Sequence, residues 1–329
     1  MMVLLYAGIL AAQPLMTASN DAGVWFVRDN EPGSLGPMHE LCQQTGTDKY
    51  QVVLPLAKRP VALAVHDQTL WFIGEGESPV LYRARLAEDQ STGTFYPVLR
   101  GRAEAVQTLD IQGKILDLLF LQDEPILVVE NGGLQCFNAN SIAVTPLLPA
   151  SGGRISVQGD SLIAVTPDTV LQTEGIRVWQ VTEDGWQGGD FTEVEGKLHN
   201  FIFHEDWPLL ILTQGGFASV VGLLDGKSVE FATFQVLAGR WAVIPKHDTG
   251  LAAIWVERNG TVTTIDIGWL SRTVSKPIVL SRQHDKARGM EITLMILTTV
   301  AFFILISTIL RNGPKKSKKI DSSTQSDGR

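Results

Sequence analysis

One hairpin recurs six times along this chain, and that recurrence constrains the fold more than any other feature. Residues 13–27 read QPLMTASNDAGVWFV and residues 59–73 read RPVALAVHDQTLWFI. Pro, Ala, Asp, Trp and Phe coincide without gaps at an offset of 46 residues. Each copy is a short strand, a turn built on Asp and a second, apolar strand. Asp suits such turns because its side chain bonds nearby backbone N–H groups and tolerates left-handed backbone. Four further copies follow: ILDLLFLQDEPILVVE at 115–130, RISVQGDSLIAVT at 154–166, HNFIFHEDWPLLILT at 199–213 and WAVIPKHDTGLAAIWVE at 241–257. The turn aspartates Asp21, Asp67, Asp123, Asp160, Asp206 and Asp248 stand 46, 56, 37, 46 and 42 residues apart.

Two more strand-like runs trail each hairpin where the pattern is clearest. They are Val80–Leu86 and Phe95–Leu99, Val178–Thr182 and Phe191–Val194, and Thr261–Ile267 and Pro277–Leu280. A period near 45 residues with about four strands per unit is the pattern of propeller blades. A lone four-stranded sheet cannot bury both faces, whereas a ring of sheets covers them all. Two β-sandwiches would leave the sixfold recurrence unexplained. The sequence therefore predicts an all-β fold, a β-propeller of about six four-stranded blades over residues 13–281, followed by one C-terminal transmembrane helix. Trp25 and Trp71 fall at one equivalent position, which reads as packing between blades. The repeat resembles the broad WD40 and YVTN-type families across residues 13 to about 281. The Trp-Asp and Gly-His signatures of WD40 repeats are missing, so the resemblance implies a fold and carries no functional residue across.

Ile292 to Leu310 (ITLMILTTVAFFILISTIL) is 19 residues without a charge. At about 1.5 Å per residue it spans about 28 Å, close to the apolar thickness of a bilayer. Its Ser and Thr hydroxyls can bond back to their own helix. Residues 282–291 read as a basic juxtamembrane linker and 311–329 as a basic disordered tail. The last 19 residues, from Arg311, carry six basic and two acidic side chains, while the other 310 carry 21 and 33. The acidic body argues against nucleic acid as a partner. The basic tail suits an anionic membrane surface. Five basic residues after the span against three before it favour a cytoplasmic tail and an extracytoplasmic propeller. Residues 1–12, with VLLYAGILAA inside them, read as a signal peptide or an apolar N-terminal segment. The alternative is a tail-anchored protein with a cytosolic propeller.

Cys42 and Cys136 lie in different repeats, and a disulfide needs Cα atoms within about 7 Å. Both read as small apolar core residues. No catalytic, metal or cofactor-binding set emerges. His39-Glu40 begins a zincin-like run that stops at Gln43-Gln44. His199 and His204 are five apart, so on a regular strand they face opposite ways. The loops between second and third strands carry Asp29, Glu31, Glu75, Glu77, Glu130, Asp168, Glu174 and Glu257, which form the candidate binding face. The segments leading into each blade bring Lys58, Arg59, Arg100, Arg102, Arg154, Lys197 and Arg240 to the same end. Mutual ion pairing competes there with an acidic binding surface. Asn259-Gly260-Thr261 fits either a glycosylation acceptor or a β-turn. The function expected is a membrane-tethered interaction, scaffold or sensing domain for another protein, with no cofactor. A propeller hydrolase with a channel metal, or a structural subunit of a membrane complex, is the alternative.

Overall fold

The computed structural model describes residues 15–20, 23–30, 37–89, 94–98, 102–138, 147–148, 152–204, 207–224, 226–246, 250–268, 271–283 and 297–308. The chain separates into two compact units, Met1–Gln283 and His284–Arg329. The first is all-β. Strands β1 (Thr17–Asn20), β2 (Gly23–Asp29), β3 (His39–Gln44) and β4 (Lys49–Leu56) form an antiparallel meander. A second follows in β5 (Pro60–His66), β6 (Thr69–Gly74) and β7 (Val80–Asp89), with β8 (Thr94–Pro97) and β9 (Glu104–Thr108) both paired to β7. The third is β10 (Lys114–Leu121), β11 (Glu124–Glu130) and β12 (Leu134–Asn138). The fourth is β13 (Arg154–Gln158), β14 (Ser161–Val170), β15 (Thr173–Thr182) and β16 (Gly185–Glu193). The fifth is β17 (Lys197–His204), β18 (Trp207–Gln214), β19 (Phe217–Leu224) and β20 (Lys227–Gln235). The last comprises β21 (Arg240–Lys246), β22 (Gly250–Val256) and β23 (Val262–Gly268), with β24 (Thr273–Val274) and β25 (Ile278–Arg282) on β23. In every meander the first two strands are the hairpin of the sequence repeat.

Period-2 alternation explains how these sheets stack. Along β22, Leu251, Ala253 and Trp255 pack with the fifth meander, while Ala252, Ile254 and Val256 pack with the first. Six apolar clusters result among the described residues, each lying between successive meanders and one joining the last to the first. Both faces of each second strand are therefore buried, which is why those strands read as unbroken apolar runs. Trp25 lies between the first and second meanders, and Trp71 packs on the cluster between the second and third. Cys42 and Cys136 are buried free thiols in two different clusters.

The leading strands touch in a closed circuit: β1 with β5, β5 with β10, β10 with β13, β13 with β17, β17 with β21, and β21 with β1. The arrangement is propeller-like. Its ends are joined in two places. Leu15 N donates to Trp241 O at 3.2 Å beside the leading strands. At the outer edge β25 runs parallel to β4, with Ser281 N on Asp48 O at 2.8 Å and Gln283 N on Tyr50 O at 2.7 Å. A buried carboxylate reinforces the seam. Glu40, 3% exposed, accepts from Arg28 at 3.1 Å and from Arg282 at 3.4 Å. Arg28 Nε also donates to Gly260 O at 2.8 Å, in the last meander.

The fourth meander departs from expectation. Its second strand continues to Val170 and its third begins at Thr173, not Val178. The turn between them is only Leu171–Gln172, both left-handed at φ 49° and 71°. Asn or Gly ordinarily signals such a turn, so nothing in the sequence marks it.

The second unit contains one described helix, α1, residues 297–308, exposed all round. Thr308 Oγ1 donates to Ile304 O at 2.8 Å, the back-bonding expected of a hydroxyl in an apolar helix. Among the described residues no helix is long and apolar enough to cross a membrane. The expected span, Ile292 to Leu310, runs past α1 at both ends into residues outside those described, as do residues 1–12, 284–291 and 311–329.

If Glu40 clamps the seam, Glu40→Ala leaves two guanidinium groups without their carboxylate and lowers unfolding free energy by about 3 kcal/mol. Glu104→Ala removes only the exposed pair with Arg83 and changes it by about 0.5 kcal/mol or less. Urea titrations of both variants measure the contrast.

Candidate functional site

Three of the leading strands carry a β-bulge near their start, between Pro60 and Ala62, Ile115 and Asp117, and Leu198 and Asn200. A bulge re-aims side chains. After two of the three stands an Asx residue that folds back on the chain: Asp117 Oδ1 accepts from Leu118 N at 2.9 Å, and Asn200 Oδ1 accepts from Phe201 N at 2.8 Å. The extra residue on β17 is His199. Its ring stacks on Trp241 of β21, with centroids 4.0 Å apart and planes 5° apart. Arg154, first residue of β13, donates from Nε to His199 O at 3.1 Å.

Asp117, Arg154 and His199 thus bring three titratable side chains from adjoining leading strands to one end of the ring. Burial raises the Asp117 carboxyl from 3.8 to about 6, against the opposing effects of the Leu118 N–H and the Arg154 charge. Burial lowers the His199 imidazole from 6.5 to about 4, and Arg154 pushes the same way. Perturbed groups around a shared charge, here Arg154, mark functional sites more often than ordinary surface does. The sequence marks Asp117 only by its charge within the otherwise apolar run ILDLLF. It did not pair Asp117 with His199, because the bulge that re-aims His199 has no sequence signature.

Part of the expected acidic face is paired off. Asp29 binds Arg240 and, at 2.8 Å, His39 Nδ1. Glu75 lies in the field of Arg59, and its N–H donates to Arg59 O at 3.1 Å. Glu130 lies in the field of Arg154 and accepts from Gly152 N at 3.2 Å. Asp168 pairs with Arg177 at 2.9 Å. Asp168 and Glu174 sit within paired strands β14 and β15, not in a loop. Glu257 Oε2 accepts from Asn259 Nδ2 at 3.3 Å, and Asn259 Oδ1 accepts from Thr261 N at 2.8 Å, so Asn259 builds a turn. Glu77 is exposed in the β6–β7 connection, and Glu31 lies outside the described residues.

At the opposite end, Asp67, Asp123 and Asp160 stand in the turns between first and second strands, with Asp67 and Asp123 left-handed at φ 48° and 66°. Asn20 Nδ2 donates to Asp67 O at 2.9 Å and His66 Nε2 bonds Asp123 Oδ1 at 2.9 Å, so each turn is held by the preceding meander. Asp21, Asp206 and Asp248 lie outside the described residues. Among the described residues no three His, Cys, Asp or Glu side chains gather as a metal site.

No protein-family model matches the chain, and no curated protein matches it by sequence. Solved structures do. TolB from Acinetobacter baumannii aligns with a TM-score of 0.50 at 12% identity, covering 79% of this chain and 67% of TolB. The fold is of the propeller type. A nidogen/laminin complex aligns at TM-score 0.49 and 10% identity over 80% of this chain and 92% of the other. A candidate 6-phosphogluconolactonase from Bacteroides fragilis aligns at 0.46 and 14% over 80% and 83%. At 10–14% identity the likeness speaks to fold alone.

The pair Asp117 and His199 makes a pH prediction. A raised carboxyl contributes stability that is complete below pH about 4 and lost as pH climbs through about 6. A lowered imidazole contributes stability that is complete above pH about 6.5 and lost as pH falls through about 4. The two slopes oppose each other in the wild type. Asp117→Asn keeps the bond to Leu118, as Asn200 keeps its own, and removes one slope. The variant gains up to about 3 kcal/mol over the wild type between pH 4 and pH 7. Parallel stability profiles of the two proteins would contradict this.

Proposed function

We propose that the chain is a six-bladed propeller, tethered to a membrane by the apolar segment Ile292–Leu310, that presents one loop face to another protein. The nine-stranded sheet formed by the first and last meanders is, in this reading, two blades fused at their outer edges. The tether is supported by α1, whose residues 297–308 carry no charge and are mostly apolar. The propeller is taken to be extracytoplasmic and the tail cytoplasmic.

The observation that carries the interaction reading is Leu171. It is 94% exposed and holds a left-handed backbone at φ 49°, a conformation that costs a bulky residue energy. The fold gains nothing from leucine there, and such strain persists where a residue serves function. Two more exposed apolar residues, Met38 at 67% and Phe217 at 51%, stand beside equivalent turns of the first and fifth meanders. The propeller-hydrolase reading is favoured by one observation only, the opposed shifts of Asp117 and His199. A stoichiometric divalent ion in the purified protein would move the balance to it.

A photo-crosslinking residue at position 171, introduced into the full chain in its native membrane, is expected to yield one adduct of discrete mass. The same probe at position 67, on the opposite end, is expected to yield none. Adducts of equal yield at both positions, or at neither, contradict the reading.

A further inference from the structure

A groove of about 820 Å³ opens between the fourth and fifth meanders. That volume lies within the roughly 300–1,000 Å³ of ligand-binding pockets. Its floor is Val194, Leu212 and Val221, buried members of the apolar cluster joining the two meanders. Its walls are polar. Ser219 Oγ and Thr233 Oγ1 lie 2.9 Å apart across β19 and β20, and Ser228 Oγ donates to Glu193 O at 3.4 Å, tying one wall to the other.

Three carboxylates line the groove, Glu193, Glu195 and Glu230, and no Lys, Arg or His does. Among the described residues none of the three is in an ion pair. All three are exposed, so the groove presents uncompensated negative charge to the solvent.

The position of Glu230 follows from a register shift. Val220 of β19 faces Ala232 of β20, yet Val221 faces Glu230, so Phe231 is an extra residue on β20. Without that bulge, alternation would set Phe231 opposite Val221, and the groove wall would be aromatic. With it, Phe231 turns away to pack against Trp207 and beneath Arg272, and Glu230 takes its place beside Val221. Bulges that re-aim a side chain cluster beside functional sites. At the lip, Phe217 is half-exposed immediately after the Gly215–Gly216 turn, both left-handed at φ 58° and 87°.

We infer that this groove docks an extended basic segment of a protein partner, with Lys or Arg side chains on Glu193, Glu195 and Glu230 and an apolar side chain against Phe217. The inference rests on the interaction reading above and names its partner chemistry and its place. Charge complementarity selects a cationic occupant. The apolar lip beside the acids selects a polypeptide over a small polyamine, because only the polypeptide carries cation and hydrocarbon in a fixed spacing. Hydroxyls on the wall suit the main chain of an extended segment.

The test uses the full chain in detergent and a fluorescein-labelled peptide alternating Lys with Thr around a single Leu, read by anisotropy. The triple variant Glu193→Gln, Glu195→Gln, Glu230→Gln is expected to bind about tenfold more weakly or worse, and Phe217→Ala to lose several-fold. Neutralising Glu88, Glu183 and Asp184, which lie off the groove, is expected to change affinity by about twofold or less. The Glu-for-Lys peptide is expected not to bind, and spermine at equal charge not to displace the Lys peptide. Glu230→Gln alone, at the bulge, gives a milder variant should the triple one fail to fold. Equal loss in the two triple variants, displacement by spermine, or no binding of the Lys peptide would each overturn the inference. The photo-adduct at position 171 separates the two claims: an adduct that persists while the groove variants bind normally leaves the loop face standing and removes the groove.

Discussion

The structure depends on joining the two ends of the chain. A ring of sheets buries its faces only if the last sheet finds the first, and here that contact is made at three depths. Leu15 bonds Trp241 beside the leading strands, Ala252, Ile254 and Val256 pack against Val24, Phe26 and Cys42 in the middle, and β25 pairs with β4 at the rim. The apolar cluster there resembles the other five, so association is driven by the same burial that stacks neighbours along the chain. What the seam adds is directional. Parallel pairing fixes register, and the Arg28–Glu40–Arg282 cluster rewards only one alignment of the ends.

Much of this was legible before any coordinates. The turn aspartates located the leading hairpins because a two-residue connection between strands demands left-handed backbone, and Asp tolerates it. Unbroken apolar second strands signalled burial on both faces. What escaped was whatever depends on register. A bulge moves every later side chain to the other face without altering composition, so neither His199 on Trp241 nor Glu230 in the groove could be read from spacing. The Leu171–Gln172 turn escaped for a different reason, since its residues contradict its geometry. The acidic loop face was visible as a list of residues, and so was its competition with Arg59, Arg154 and Arg240, but the pairing of Asp168 with Arg177 was not, because Arg177 is contributed by the facing strand.

These departures concentrate at a few places. Around most of the ring, local preference and tertiary packing agree, which is the condition for a well-defined native state. They part at an exposed leucine in a strained turn, at a carboxylate set into a groove by a bulge, and at a carboxyl and an imidazole shifted in opposite directions on the leading strands either side of Arg154. Sites where local rules are broken without structural gain are where function is expected.

The closed ring is the claim on which the rest stands, and backbone amide exchange across the seam tests it most directly. Ser281 and Gln283 donate to Asp48 and Tyr50, so their amides should exchange as slowly as those of β22, and removing residues from 278 onward should speed exchange in β4 as well as β23. If Ser281 and Gln283 exchange as freely as a dangling terminus while β4 and β23 stay protected, the ends are not joined through β25 and the account fails.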